Sequence, residues 1–203
     1  MKLFHEPFFE PFARIFRFAF GSMWIPRNKE LVMLDVGCGP QIRFYHFARL
    51  TGIRLKKYIG IDPLLHEDVI RKHKKSTSLV LKTTNINKTI AISDNSVDLV
   101  VGFAYLEHVD YPQEIVNEMI RVLKPGGVVI LTTPTDKAKP VLEFLSYALR
   151  LISRREIEEH KRYFTKETLM SLVSKQNLRK VKISHHYFEL YLNNLFIIKK
   201  HEA

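Results

Sequence analysis

From Glu30 onward, short runs of apolar and β-branched residues alternate with segments whose apolar positions recur every three or four residues. The first pattern suits a strand buried on both faces and the second an amphipathic helix, so the alternation predicts a largely parallel sheet covered by helices on both sides. Strands are expected at Leu31 to Val36, Lys57 to Ile61, Leu79 to Thr83, Val97 to Gly102 and Val128 to Thr133. Between the fourth and fifth, Ile115, Val116, Met119, Ile120 and Leu123 share one helical face. Pro112 suits the first turn of that helix, and Lys124-Pro125-Gly126-Gly127 supplies a stop and a turn.

The C-terminal third reads differently. Thr165 is the expected N-cap of a helix over Glu167 to Ser174, followed by strand-like runs at Lys180 to Phe188 and Tyr191 to Lys199. The connection around Glu189 and Leu190 is too short for a parallel return, so this pair must be antiparallel. Two apolar helices are expected outside the sheet. Pro11 to Ser22 puts Phe12, Ile15, Phe16 and Ala19 on one face and Arg14 and Arg17 towards another, and Pro140 to Ser153 follows the fifth strand. Both are placed to cap a site at the sheet edge. There is no internal repeat and no low-complexity tract.

With 203 residues and 46% hydrophobic composition, the chain can bury a sizeable core as one domain. Its apolar runs are interrupted before they reach bilayer length, and no small-residue cleavage site follows an apolar N-terminal stretch, so a cytoplasmic protein is expected. Cys38 is the single cysteine, which excludes an internal disulfide and a cysteine-rich zinc site. The net charge of +11 favours an anionic partner such as RNA, a phospholipid surface or a phosphorylated substrate. That charge is spread over Arg54 to Lys57, Arg71 to Lys75, Arg150 to Arg162, Lys199 and Lys200, a distribution equally natural for a solvated surface.

The strongest local signal is Leu34-Asp35-Val36-Gly37-Cys38-Gly39-Pro40, a strand entering a glycine turn ahead of a helix containing Phe44, Phe47 and Ala48. Glycines there let the backbone approach a nucleotide-like ligand, and the following helix N-terminus favours negative charge. A dinucleotide fingerprint would need glycine three residues after Gly39, where Ile42 stands, so a dehydrogenase is disfavoured. The next strand ends Gly60-Ile61-Asp62-Pro63, placing a carboxylate where it can accept both hydroxyl hydrogens of a ribose. A turn-initiating Asp before proline is the plainer use of the same residue.

Taken in order, LDVGCGP, GIDP, DNSVDLVVGFAYLEHV and RVLKPGGVVILTTP resemble successive motifs of the class I S-adenosylmethionine-dependent methyltransferases, most of all the methyltransferase domain 11 family. They run from Leu31 to Pro134, and EHKRYFTKETLMSLV resembles a later segment of many small-molecule members. The resemblance implies a Rossmann-like, doubly wound α/β sheet of seven strands, mostly parallel with a C-terminal antiparallel hairpin. It implies one domain over 1–203, divided into an N-terminal helical cap (1–29), a cofactor-binding core (30–134), an inserted helical cap (135–164) and a C-terminal helix and hairpin (165–203). The implied cofactor is S-adenosylmethionine, with S-adenosylhomocysteine as product. Carried over by position, Asp35 holds the methionine amino end, Gly37, Cys38 and Gly39 pass close to the cofactor, and Asp62 with Pro63 forms the ribose turn. Asn85 and Ile86 fall at the adenine, and Ala104 and Tyr105 at the sulfonium, whose charge an aromatic face attracts. Asn85 stands where the family usually has an acid, and Gln41 where many members continue the glycine series.

Glu107 and His108 follow at the same sheet edge. His108 is either the base that takes a proton from the acceptor or a residue that only orders the turn. Glu107 is available to contact cofactor or acceptor, His160, Arg162 and Tyr163 resemble positions near the acceptor pocket of related enzymes, and no metal-ligand set is expected. An Asn/Asp-Pro-Pro-aromatic motif is absent after the fourth strand, and Cys38 lies in the cofactor loop rather than near an acceptor, so neither amine nor cytosine-C5 methylation of nucleic acid is supported. The apolar helices favour a small-molecule or lipid-linked acceptor and peripheral contact with an anionic membrane, although they serve equally as ordinary packing on the sheet. RNA methylation at another atom and a non-catalytic binding module remain the alternatives.

Overall fold

Side chains of Leu31–Val36 (β1) alternate between two hydrophobic layers: Leu31 and Met33 join one, Leu34 and Val36 the other. That is the pattern of a strand covered on both faces. The computed structural model describes residues 10–86, 88–148 and 160–202. In chain order it runs α1 (Glu10–Ser22), β1, α2 (Arg43–Leu50), β2 (Leu55–Ile61), α3 (Glu67–His73), β3 (Leu79–Lys82) and β4 (Val97–Phe103). Then follow α4 (Pro112–Val122), β5 (Leu123–Pro134), α5 (Ala138–Glu143), a π-helical turn (Phe144–Ala148), α6 (Lys166–Ser171), α7 (Lys175–Leu178), β6 (Val181–Phe188) and β7 (Asn193–Lys200).

The seven strands lie in the order β3-β2-β1-β4-β5-β7-β6. All neighbours are parallel except β5 with β7 and β6 with β7, as the sequence predicts. Two boundaries differ by more than two residues. Lys124-Pro125-Gly126-Gly127 does not stand between elements but lies inside β5, where the register jumps from Val97 opposite Leu123 to Leu99 opposite Val128. The extra residues form a bulge, with Gly126 at φ +74° supplying the left-handed conformation. The helix begun at Thr165 is also shorter than expected and restarts as α7. Its start is as predicted, for Thr165 Oγ1 accepts from the Thr168 amide and the Thr168 side chain returns the bond to the Thr165 amide.

The layer of Leu34 and Val36 contains α4 (Ile115, Val116, Met119, Ile120) and Leu169 of α6, and the layer of Leu31 and Met33 contains Phe18 of α1 with Phe44 and Ala48 of α2. Phe18 anchors α1, its ring 5.1 Å from Phe44 and 5.2 Å from Phe103. The helix therefore docks through Phe18 and leaves Phe12, Ile15 and Phe16 exposed. The expected inserted helix is α5 with the π-helical turn up to Ala148; its remainder to Ser153 lies outside the described residues.

Two buried polar groups tie this framework. Asn194 of β7, fully buried, donates to the Phe164 carbonyl at 2.9 Å and to Thr133 Oγ1 at 3.3 Å, and its oxygen meets His185 Nε2 at 2.8 Å. Asp35 of β1 accepts from the Tyr58 hydroxyl. Burial pushes the Asp35 carboxyl up to about 7, against the lowering pull of that hydrogen bond, and the Asp62 charge adds to the rise.

Asn194→Ala strands several buried partners and is expected to cost about 2–4 kcal/mol, read from urea denaturation at unchanged m-value. For Asp35 the sign follows from its raised folded value. Below about pH 4 both states are protonated; between there and about 7 only the unfolded chain ionises, so stability falls, then levels off. Asp35→Asn removes that decline: its melting temperature should exceed the wild type's at pH 8, with the gap closing towards pH 4.

Candidate cofactor and acceptor site

β1 hands the chain to a loop in which Gly37 and Gly39 hold φ +74° and +72°. The Gly37 and Cys38 amides donate to the Ile61 carbonyl at 2.9 and 3.3 Å, curling the loop over the end of β2. A Cβ on Gly37 would stand 2.3 Å from Tyr105 Cδ2, so only glycine lets the two loops touch. At Gly39 nothing lies within 4 Å of that position, and the backbone there is open to a ligand. Ile42, next to α2, is also left-handed at φ 47° and fully buried. For a β-branched residue this conformation is strained, and the packing around its side chain holds it.

Asp62 sits across from this opening. Its Oδ2 accepts from the Gly39 amide at 2.9 Å and its Oδ1 from the Leu64 amide at 2.7 Å. A carboxylate accepts about four hydrogen bonds, so roughly two remain, the number a ribose diol requires. Pro63 is exposed beside it. Cys38 is buried and unpaired, and burial first, then the Asp35 and Asp62 charges, push its thiol well above the ordinary range. Asp35 is turned to Tyr58, leaving water or the loop backbone as its route to a ligand. Asn85 is exposed after β3, while Ile86 is buried in the layer containing Val36 and Ile61.

The chain leaves β4 through Ala104, whose φ of +50° turns it sharply and whose amide reaches the Thr132 carbonyl at 3.0 Å and its hydroxyl at 3.1 Å. Tyr105 lies against the glycine loop, its phenol pushed up by burial. The tight turn Leu106–His108 follows. Glu107 is 1% exposed, and its Oε2 has no hydrogen-bond partner among the described residues. Burial pushes its carboxyl up to about 7; a hydrogen bond to its own amide and the Arg17 guanidinium pull the other way.

The Lys161 amide donates to the Glu107 carbonyl at 2.9 Å and pins the returning chain here. The His108 and His160 rings stand 5.0 Å apart at 64°, and His160 Nδ1 is 3.4 Å from the Tyr163 hydroxyl. Glu107, His108, His160 and Tyr163 thus come together, whereas Arg162 reaches out to the Asp110 carbonyl at 3.4 Å. Residues the sequence reading did not select complete the surroundings. Arg17 of α1 bears on both Glu107 and Glu189, and Arg17 Nε, Ser146 Oγ and Glu189 Oε1 are buried without hydrogen-bond partners among the described residues. Arg17 and Glu189 arrive from α1 and the β6–β7 connection, which no spacing in the sequence relates.

An apolar rim surrounds this edge. Phe16 packs on Phe188 with ring centroids 6.3 Å apart, and Glu189 joins Phe12, Ala13, Ile15, Phe16 and Ala19 around an open groove of about 570 Å³. The β6–β7 connection is tied to the start of the inserted segment by Thr135 Oγ1, which donates to the Tyr191 carbonyl at 2.9 Å. Leu190 is 92% exposed beside it, and Val141, Phe144 and Tyr147 are exposed on the inserted segment. Among the described residues no helix is long and apolar enough to cross a membrane.

Comparison with known proteins gives this geometry a relationship. A family model described as a methyltransferase domain matches residues 7–183. An uncharacterized methyltransferase of Mycobacterium leprae is 34% identical over 120 residues, which are 55% of this chain and 42% of that protein. The ubiquinone biosynthesis O-methyltransferase of a Shewanella species is 29% identical over 153 residues, 72% of this chain and 62% of the relative. The chain therefore spans from about a third to just over three fifths of the length of the curated relatives it matches. Among solved structures, an S-adenosylmethionine-dependent methyltransferase from Mesorhizobium loti aligns with TM-score 0.65 and 15% identity over 90% of this chain and 96% of its own. The plantazolicin methyltransferase, solved with a desmethyl analogue and S-adenosylhomocysteine, gives 0.66 and 13% over 95% and 85%. These two likenesses concern the fold, and the family match covers most of the sequence: the chain belongs to the methyltransferase-domain family and has the class I S-adenosylmethionine-dependent methyltransferase fold.

Proposed function

We propose that the chain transfers the methyl group of S-adenosylmethionine to a small-molecule or lipid-like acceptor. The observation that carries this reading is the open Gly39 backbone beside the Asp62 carboxylate, next to the Tyr105 loop that leads into the Glu107 group. When bound, the cofactor supplies an electrophilic methyl on a sulfonium, which becomes a neutral thioether as the acceptor's lone pair displaces it in line.

The chain's own part is mainly orientation. Asp62 holds the ribose hydroxyls next to Pro63, and Gly37, Cys38 and Gly39 let the loop close on the cofactor. Asp35 holds the methionine amino end through water, Asn85 offers its carbonyl to the adenine amine beside Ile86, and Ala104 and Tyr105 cover the sulfonium. Glu107, His160 and Tyr163 position the acceptor, Arg162 steadies their loop through Asp110, and His108 takes the proton when the acceptor carries one. Water exclusion by α1 and the inserted segment keeps the acceptor's lone pair available.

The rim supports the lipid-like part. Exposed apolar faces of this kind mark interaction surfaces, and with a net charge of +11 the complementary surface is an anionic membrane on which a lipid-linked acceptor resides.

Calorimetric titration with S-adenosylmethionine and S-adenosylhomocysteine should give saturable binding that Asp62→Ala weakens at least about tenfold, the loss expected for charge-assisted hydrogen bonds. Unchanged affinity in that variant would remove the ribose assignment. In liposome flotation, anionic vesicles should recover the wild type and lose it on Phe12→Ser with Phe16→Ser; equal recovery would leave the acceptor reading without its membrane.

A further inference from the structure

Glu107, His108 and His160 present a carboxylate oxygen and two imidazole nitrogens that all lie within 4.8 Å of one another. The three residues come from two strands of chain, the turn after β4 and the segment returning to α6, which the Lys161 to Glu107 backbone bond locks side by side. Ligand atoms of a tetrahedral ion at about 2.1 Å stand about 3.4 Å apart, so side-chain rotations of about an ångström close the set.

The second observation comes from Glu107 itself. Its carboxylate is 1% exposed, yet Oε2 has no hydrogen-bond partner among the described residues. A buried carboxylate of that kind is costly unless a cation meets it or a proton neutralises it. The Arg17 guanidinium bears on it electrostatically, but makes no hydrogen bond to that oxygen. From this geometry we infer that Glu107, His108 and His160 form a binding site for one divalent transition ion, zinc by the chemistry of its donors. Two imidazoles and one carboxylate match zinc and its first-row neighbours, whereas magnesium and calcium prefer oxygen donors throughout. Three protein ligands leave a coordination position for water or an oxygen of the acceptor, and an ion held there takes up the His108 lone pair and so replaces the proton-accepting role proposed for that residue.

This inference rests on those three side chains and not on the cofactor reading, so the two are tested separately. The full chain, stripped with chelator, is titrated with zinc chloride and, in parallel, with magnesium chloride; cobalt serves as the spectroscopic probe. Expected are one zinc per chain, no saturable magnesium binding at comparable concentration, and the visible absorption of four-coordinate cobalt. Glu107→Gln and His160→Ala should each weaken zinc by at least about 100-fold, the upper end of what losing a residue that only orients a ligand produces. His201→Ala, at the exposed chain end, should bind as wild type. Circular dichroism monitors folding, and Glu107→Asp, which keeps the carboxylate on a shorter stem, should retain a shifted cobalt spectrum where Glu107→Gln loses it. Absence of saturable zinc binding, or zinc binding unchanged in Glu107→Gln and His160→Ala, overturns the site. S-adenosylhomocysteine titrated into the same samples reads the cofactor site independently.

Discussion

β1 and β4 lie side by side and parallel, but their following helices depart to opposite faces of the sheet. Phe44 and Ala48 carry α2 into one layer, while Ile115, Val116 and Met119 carry α4 into the other. Two right-handed crossovers running in opposite directions from adjacent strands must open a crevice where they part. Among the described residues, the glycine loop from β1, the Tyr105 to His108 turn from β4, and Asp62 from the next strand along come together there. The contact between Gly37 and Tyr105 is the seam of that crevice, and it explains why a side chain is excluded at position 37.

Three acidic residues at this edge show how environment assigns different roles to one chemical group. Asp62 receives two backbone amides, one on each oxygen, and keeps capacity for further donors. Asp35 is sealed against the Tyr58 hydroxyl, and burial, with its carboxyl pushed up to about 7, leaves it about half protonated at neutrality. Glu107 is as deeply buried but leaves one oxygen unpaired. A fold tolerates such a group only where neighbouring packing over-determines it, here the backbone bond from Lys161 and the core beneath Leu106.

Much of the fold was legible because strands and helices announce themselves by period. Thr165 was readable as a cap from its place before an apolar run, and the hairpin from the shortness of its connection. Other features depended on tertiary context. The Lys124 to Gly127 segment carries ordinary turn chemistry, and only the presence of β4 alongside converts it into a bulge within β5. The apolar face of α1 was visible, but not its orientation, because Phe18 on another face finds Phe44 and Phe103 in the core. At the site, the glycine loop and Asp62 were legible from local sequence. The joining of His160 to Glu107 and His108 rested on resemblance, and Arg17, Ser146 and Glu189 were not legible at all, since no periodicity encodes contacts among separate elements.

The single thiol of this chain belongs to the glycine loop itself, buried and held in its protonated form. Alkylating reagents attack the thiolate and need access, so Cys38 can react only through moments when the loop lifts from β2. With no second cysteine to confuse the signal, the chain contains its own reporter. The rate at which a neutral maleimide modifies it measures how often the nucleotide loop opens, and a ligand clamping that loop would slow the labelling in proportion to its occupancy.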